Sequence, residues 1–379
     1  MSLTLPTDRD ILVCIFQRGA ADGLNALVPH ADPDYYTHRN TIAVPAPGNP
    51  AGAIDLDGFY GLHPALAPLK ALYDAGDLAL VHATGVPHGS RSHFAAQGLV
   101  ERGVADKAGP DTGWLGRQLS LTTPASSSAF RSVAISGNVP VSLNGASEPL
   151  AISNLGEFGF DQDVVDSGYP AVLGNLFQSP APLSSPAQAA LLAMDELRTA
   201  NLQAITPGNG AVYPDSDLGN KLKQAGQLIQ SSLPVETICL DSDGWDHHEN
   251  LPVFIDQSLT ELADALTAFY TDMGAQMQRI TVLVHSEFGR RVAENASFGV
   301  DHGTGGLAYL LGGGVNGGQI ISDWPGLAPA NLEMGEDLRI TTDLRTLLTE
   351  LLDKRLGGTD ANVVFPGFSG PASANVFLT

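Results

Sequence analysis

Cysteine is scarce in this chain of 379 residues, with two in all, Cys14 and Cys239. That number excludes a disulfide scaffold, and both sit inside apolar runs, where a free thiol packs as a small hydrophobe. Cationic side chains are also few: 19 Lys and Arg face 41 Asp and Glu, a net charge of −22. Nucleic-acid binding needs a basic stripe, and no Lys/Arg cluster is present, so nucleic acid is excluded as a partner. An acidic surface also disfavours anionic membranes and polymers. No apolar stretch reaches the roughly 18 residues that a membrane-spanning helix requires. Met1–Asp10 lacks a basic region followed by an apolar segment, so no signal peptide is visible. Aromatic residues make up 7%, whereas Gly (42) and Pro (25) abound within a 43% hydrophobic chain. This composition suits a loop-rich enzyme with a large core, not a helical bundle or a disordered chain.

The continuous apolar run Ile11–Phe16 predicts a strand buried on both faces. Similar strands are expected at Leu78–Ala83, Val235–Leu240, Ile280–Val284 and Leu307–Leu311. Periodicity predicts helices over 64–73, 93–101, 186–201, 218–231, 252–273 and 342–356. Strands alternating with helices imply an α/β fold with a central mixed, mostly parallel sheet flanked by helices. Residues 104–185 are rich in Gly, Pro, Ser and Asn, with only short strand candidates such as Ser132–Ile135. They read as an irregular insertion or cap within a single domain over 1–379.

Chemistry-bearing residues cluster where the strands end. Asp22 lies between glycines after the first strand and reads as a carboxylate metal ligand or as the cap of a turn. Asp246 and His248 lie two apart, so in an extended segment both point the same way and can face one cation. Glu287 follows the Ile280–Val284 strand, and His302 sits in an Asp-His-Gly loop where Asp301 can orient it. Arg18, Arg91 and Arg290 can supply charge for an anion. Ser90 and Ser92 lie at a loop–helix junction. There a serine either caps the helix or, beside a metal, acts as a nucleophile.

Together, Phe16-Gln17-Arg18-Gly19-Ala20-Ala21-Asp22-Gly23-Leu24-Asn25, Ser90-Arg91-Ser92-His93-Phe94, Gly244-Trp245-Asp246-His247-His248-Glu249-Asn250, Ser286-Glu287-Phe288-Gly289-Arg290 and Asp301-His302-Gly303 resemble the motifs of the DUF1501 proteins. That bacterial family of uncharacterised function in turn resembles the alkaline phosphatase and sulfatase superfamily. The likeness runs from Ile11 to about Leu327 and is weakest in the middle insertion. It implies an alkaline-phosphatase-like sheet with a metal site at the strand ends. It also implies an order along the chain: an Asp, a Ser or Thr nucleophile, an Asp with a nearby His, an acidic residue and a final His. Asp22, Ser90 or Ser92, Asp246 with His248, Glu287 and His302 fall in that order. The superfamily carries Asp-His where this chain has Glu287-Phe288, so one imidazole is missing.

The resulting expectation is a metal-dependent hydrolase of phosphate or sulfate esters. One or two divalent cations (zinc, manganese or calcium) sit on Asp22, Asp246, His248, Glu287 and His302, with a small anionic ester as substrate. Ser90, Ser92, Arg18, Arg91 and Arg290 serve catalysis. The alternatives are a non-catalytic metal-binding or assembly protein that retains the fold, and a phosphomutase-like transferase. The resemblance points to the periplasm or secretion, and the lack of a visible leader to the cytoplasm. The sequence leaves the oligomeric state open.

Overall fold

The computed structural model of the protein describes residues 9–124, 128–178, 184–358 and 360–378. Most of the Met1–Asp10 segment read for a leader lies outside the described residues. A central sheet is built from nine strands: β1 (Ile11–Gln17), β2 (Leu78–Gly85), β3 (Ser132–Ala134), β4 (Leu150–Ala151), β5 (Thr237–Ser242), β6 (Ile280–Ser286), β7 (Gly306–Gly312), β8 (Gln319–Ile321) and β9 (Thr342–Asp343). Their order is β8-β2-β7-β6-β1-β5-β3-β4, with β9 joining the end of β2. All pairings are parallel except the two made by β7, so the sheet is mixed and mostly parallel.

The apolar runs split by alternation. Ile11, Val13 and Ile15 of β1 enter one core, while Leu12, Cys14 and Phe16 enter a second core on the opposite face. This period-2 division is why a run apolar at every position folds as a strand between two layers. The first core is closed by helices α3 (Asp217–Gln230) and α4 (Leu251–Met273), to which the short α1 (Ala67–Asp74) adds Leu69 and Leu72. In α4, Leu251, Ile255, Leu259, Leu262, Leu266, Phe269 and Met273 recur every three or four residues and are buried, which is the face of an amphipathic helix. The second core is closed by a helix over Trp114–Leu121 and by α5 (Leu344–Arg355), whose cap Asp343 accepts from Arg345 N–H. No helix among the described residues is long and apolar enough to cross a membrane.

The stretch 104–185, read as irregular, supplies the Trp114–Leu121 helix and strands β3 and β4 at one margin of the sheet. Helical periodicity is hidden in 114–121 because Arg117 and Gln118 are themselves buried. Arg117 donates to the carbonyl of Val364, and Gln118 to that of Leu356. The two cysteines are free, buried and opposite one another on β1 and β5. Burial pushes the Cys14 thiol up to about 12.

His82 on β2 is fully buried, donating from Nε2 to the Leu27 carbonyl at 3.1 Å and accepting the Ala83 N–H at Nδ1. Burial pushes its pKa from 6.5 down to about 4. Between those values the unfolded chain takes up a proton that the folded chain refuses. Stability from this residue is therefore complete above 6.5 and falls as the pH drops toward 4, by roughly 3 kcal/mol. Urea midpoints are expected to fall between pH 7 and pH 4.5, and less steeply in His82→Gln. Equal slopes in both proteins would refute this assignment.

Candidate functional site

Because β1, β2, β5 and β6 run parallel, their C-terminal ends share one edge of the sheet. The antiparallel β7 begins at that edge. Five separate segments therefore meet there: the turn after β1, the 86–92 loop leading into helix α2 (His93–Arg102), the loop after β5, the turn after β6, and the residues that precede β7. Glycine permits the close approach of the turn after β1 to the loop after β5. Gly19 has φ +115°, and a Cβ on it would lie 2.7 Å from Asp246 N.

Four side chains converge at this edge. The Nε2 atoms of His93 and His248 each lie 2.9 Å from His302 Nε2. Asp246 Oδ1 lies 3.0 Å from His248 Nε2 and 3.2 Å from His302 Nε2, and its Oδ2 lies 3.4 Å from His93 Nε2. Among the described residues, His93, Asp246 and His302 form a group whose ligand atoms all lie within 4.8 Å of one another.

The far side of each ring fixes its tautomer. His302 Nδ1 lies 2.8 Å from the Arg91 carbonyl, which can only accept, so Nδ1 carries the hydrogen. His93 Nδ1 lies 2.7 Å from Glu287 Oε1, and His248 Nδ1 lies 3.1 Å from Asp301 Oδ1. Burial opposes ionisation of Glu287, but hydrogen bonds led by that from Gln97 outweigh it and hold its carboxyl below the usual range. For Asp301, burial is likewise outweighed, by Asn295 and His248. Both carboxylates thus accept. Each imidazole has its Nε2 turned inward, those of His93 and His248 toward His302 and all three toward Asp246.

Asp246 is the charged member. Burial works against its charge, but the hydrogen bond and charge of Arg290, with His302 and His248, hold its pKa at about 2. Burial also pushes His302 below its ordinary value, against the hydrogen bonds to the Arg91 carbonyl and Asp246 that raise it. Arg290 has a fully buried side chain and donates to Asp246 Oδ1 at 2.6 Å. Its remaining donors go to the carbonyls of Gly19, Ala20, Trp245 and Val300. One guanidinium thus ties together the turn after β1, the loop after β5 and the segment before His302.

A family described as "Protein of unknown function (DUF1501)" matches residues 78–364, which include every member of the converging set. The chain belongs to the DUF1501 family. No curated protein matches it. Among solved structures it is similar to the PH0037 protein from Pyrococcus horikoshii, at 15% identity and a TM-score of 0.32, over 81% of this chain and 86% of that one.

In this DUF1501 protein the residues singled out from sequence are distributed unevenly. Asp246, His248 and His302 meet, with Arg290 beneath them. Glu287 stands behind His93, its side chain fully buried and accepting from Gly19 N, Gln97 and Ser286 as well. Asp301 orients His248 instead of His302. Asp22 lies apart: its two oxygens accept from Arg39 at 2.5 and 2.9 Å, and both side chains are buried. Arg18 pairs with Asp241 and Glu101. Arg91 reaches Asp337 with its side chain while its carbonyl holds His302. His247 turns away and stacks on Phe254. Ser92 caps α2 without a side-chain capping bond and is exposed, whereas Ser90 Oγ accepts the Ser92 N–H at 3.3 Å. The residue that sequence reading left out is His93. Its signals were position, as the first residue of a helix after a buried strand and a loop, and its place in the Ser90-Arg91-Ser92-His93-Phe94 motif.

Proposed function

We propose that the protein is a metal-dependent hydrolase of phosphate or sulfate esters whose cation sits between His93, Asp246, His248 and His302. The observation that carries this reading is the convergence of three inward Nε2 atoms on a carboxylate. A cation shared by these nitrogens and the carboxylate accounts for so close an approach of like groups. Tetrahedral zinc with nitrogen ligands at about 2.0–2.1 Å requires donor atoms roughly 3.3 Å apart. Five of the six pairs run from 2.9 to 3.4 Å. His93, Asp246 and His302 are the group whose ligand atoms all lie within 4.8 Å of one another, with His248 joining through Asp246 and His302. Three imidazoles and one carboxylate suit zinc or manganese better than calcium, which takes six to eight oxygens. Phe288 stacks on His93 with ring centroids 5.1 Å apart, an apolar wall that favours one cation over two.

A divalent cation bound there supplies a Lewis acid for the ester oxygens. The chain's own residues hold the site. Glu287, Asp301 and the Arg91 carbonyl keep the three Nδ1 protons in place, and Arg290 keeps Asp246 ionised. Ser92 is the better candidate nucleophile, since its hydroxyl is exposed, free of capping and adjacent to His93. Its Oγ attacks phosphorus or sulfur, the alcohol leaves, and water releases the acid from the serine ester. Of the order that the alkaline-phosphatase resemblance implies, Ser92, Asp246 with His248 and His302 support the reading, whereas Asp22 is paired with Arg39 and Glu287 stands behind His93. A metal-binding protein without turnover is the second reading, favoured by Phe288 standing where an imidazole ligand is missing.

Elemental analysis of protein purified without chelator or metal-binding tag, followed by a panel of phosphate and sulfate esters, tests the proposal. Stoichiometric zinc or manganese with ester turnover is expected. A bound metal with no turnover of any ester would move the protein to the second reading, and no metal even after soaking would remove both.

A further inference from the structure

Beside the converging set lies a cavity of about 240 Å³ with a different character. Its walls include Val86, Phe288, Met334 and Ile340, with Arg91 and Gly303 on the side toward His302. Phe288 is shared: its ring stacks on His93 and tilts against His302 while also lining the cavity. Met334, in the same lining, is 81% exposed and held at φ +53°, a conformation that side chains with a Cβ adopt only at a cost. The turn that carries Met334 is pinned. Glu333 and Asp337 bridge its ends, and the buried Asp337 carboxylate accepts from Arg91 Nη2 at 2.5 Å. Arg91 therefore anchors this turn with its side chain and His302 with its carbonyl.

An exposed methionine in a strained backbone, on a turn tied to the site, gains nothing for folding where it stands. It does supply a polarisable side chain to a cavity that Phe288 also lines. The cavity's cations are already matched: Arg91 faces Asp337 and Glu336, and Arg339 lies 3.9 Å from Glu333. Each arginine of the lining thus has a carboxylate within 4 Å.

We propose that this cavity binds the neutral, flat apolar portion of the substrate, an aryl group held between Phe288 and Met334, and that Met334 determines specificity. The inference rests on the hydrolase reading only in naming the occupant as part of an ester. An aryl group there places its bonded oxygen toward His302 and leaves the charged ester head to the cation site.

The test uses protein labelled at its methionine methyl groups, with the Met334 resonance assigned through Met334→Leu. Phenylphosphonate and benzyl alcohol are each expected to shift the Met334 methyl, and inorganic phosphate is not. Met334→Asp should weaken phenylphosphonate binding roughly tenfold, as expected for losing one apolar wall, with metal content unchanged. A Met334 methyl that responds to neither aromatic probe, while phosphate binding is detected by calorimetry, would overturn the assignment. A shift with benzyl alcohol in a protein that turns over no ester would support the aryl site and sink the hydrolase reading, so the two fail separately.

Discussion

Replacing His93 by alanine is expected to weaken zinc binding about a hundredfold, as much as replacing Asp246. A zinc site worth about 12 kcal/mol spread over four ligands carries about 3 kcal/mol in each, or two orders of magnitude. Glu287→Gln should do less, roughly tenfold, because it leaves the Nε2 donor in place and disturbs only the partner that orients it. The measurement is competition with a chelator of known affinity, on variants whose circular dichroism matches the parent. Wild-type affinity in His93→Ala would show that the convergence of its Nε2 on His302, at 2.9 Å, is a packing contact. An equal loss in Glu287→Gln and His93→Ala would instead give the carboxylate a direct place at the cation.

The second large effect lies away from the converging set. Asp22→Ala should destabilise the fold by about 3–5 kcal/mol, because it strands a buried guanidinium. The side chains of Arg39 and Asp22 are 0% and 1% exposed, so water cannot replace the lost partner. Arg39 would keep the acceptors Asn25 Oδ1 and the carbonyls of Val292 and Arg291, but no negative charge. Replacing both partners with apolar residues, Asp22→Leu with Arg39→Met, should cost much less than Asp22→Ala alone. Urea unfolding of the single and double variants measures this, and metal content per folded molecule is expected to stay constant. Metal lost from Asp22→Ala at undiminished stability would place Asp22 among the ligands.

These two experiments bear on what sequence could and could not reveal. Strand positions were legible because β1, β2, β6 and β7 are buried on both faces and carry apolar residues throughout. The Trp114–Leu121 helix was not, since its buried Arg117 and Gln118 look like surface residues until their backbone partners around 356 and 364 are known. At the site, Asp246, His248 and His302 stood out through residue type and placement after strands. Asp22 had the same outward signs, a carboxylate after a strand among glycines. What separates it is Arg39, a contact set by tertiary packing with no local pattern to announce it. His93 was hidden for the converse reason: it stood in the Ser90-Arg91-Ser92-His93 motif, but its contact with His302 is made across 209 residues and leaves no local pattern.

The central place of β1 has a consequence for how the molecule is made. Its register partners, Thr237–Ser242 and Ile280–Ser286, lie more than two hundred residues downstream. On a ribosome adding about 5–20 residues per second, they follow β1 by tens of seconds. For that interval Ile11–Phe16 is an unpaired apolar segment with both edges open, able to join any other strand it meets. The nascent chain therefore depends on a holding factor, or on remaining unfolded, until the ribosome passes Ser286.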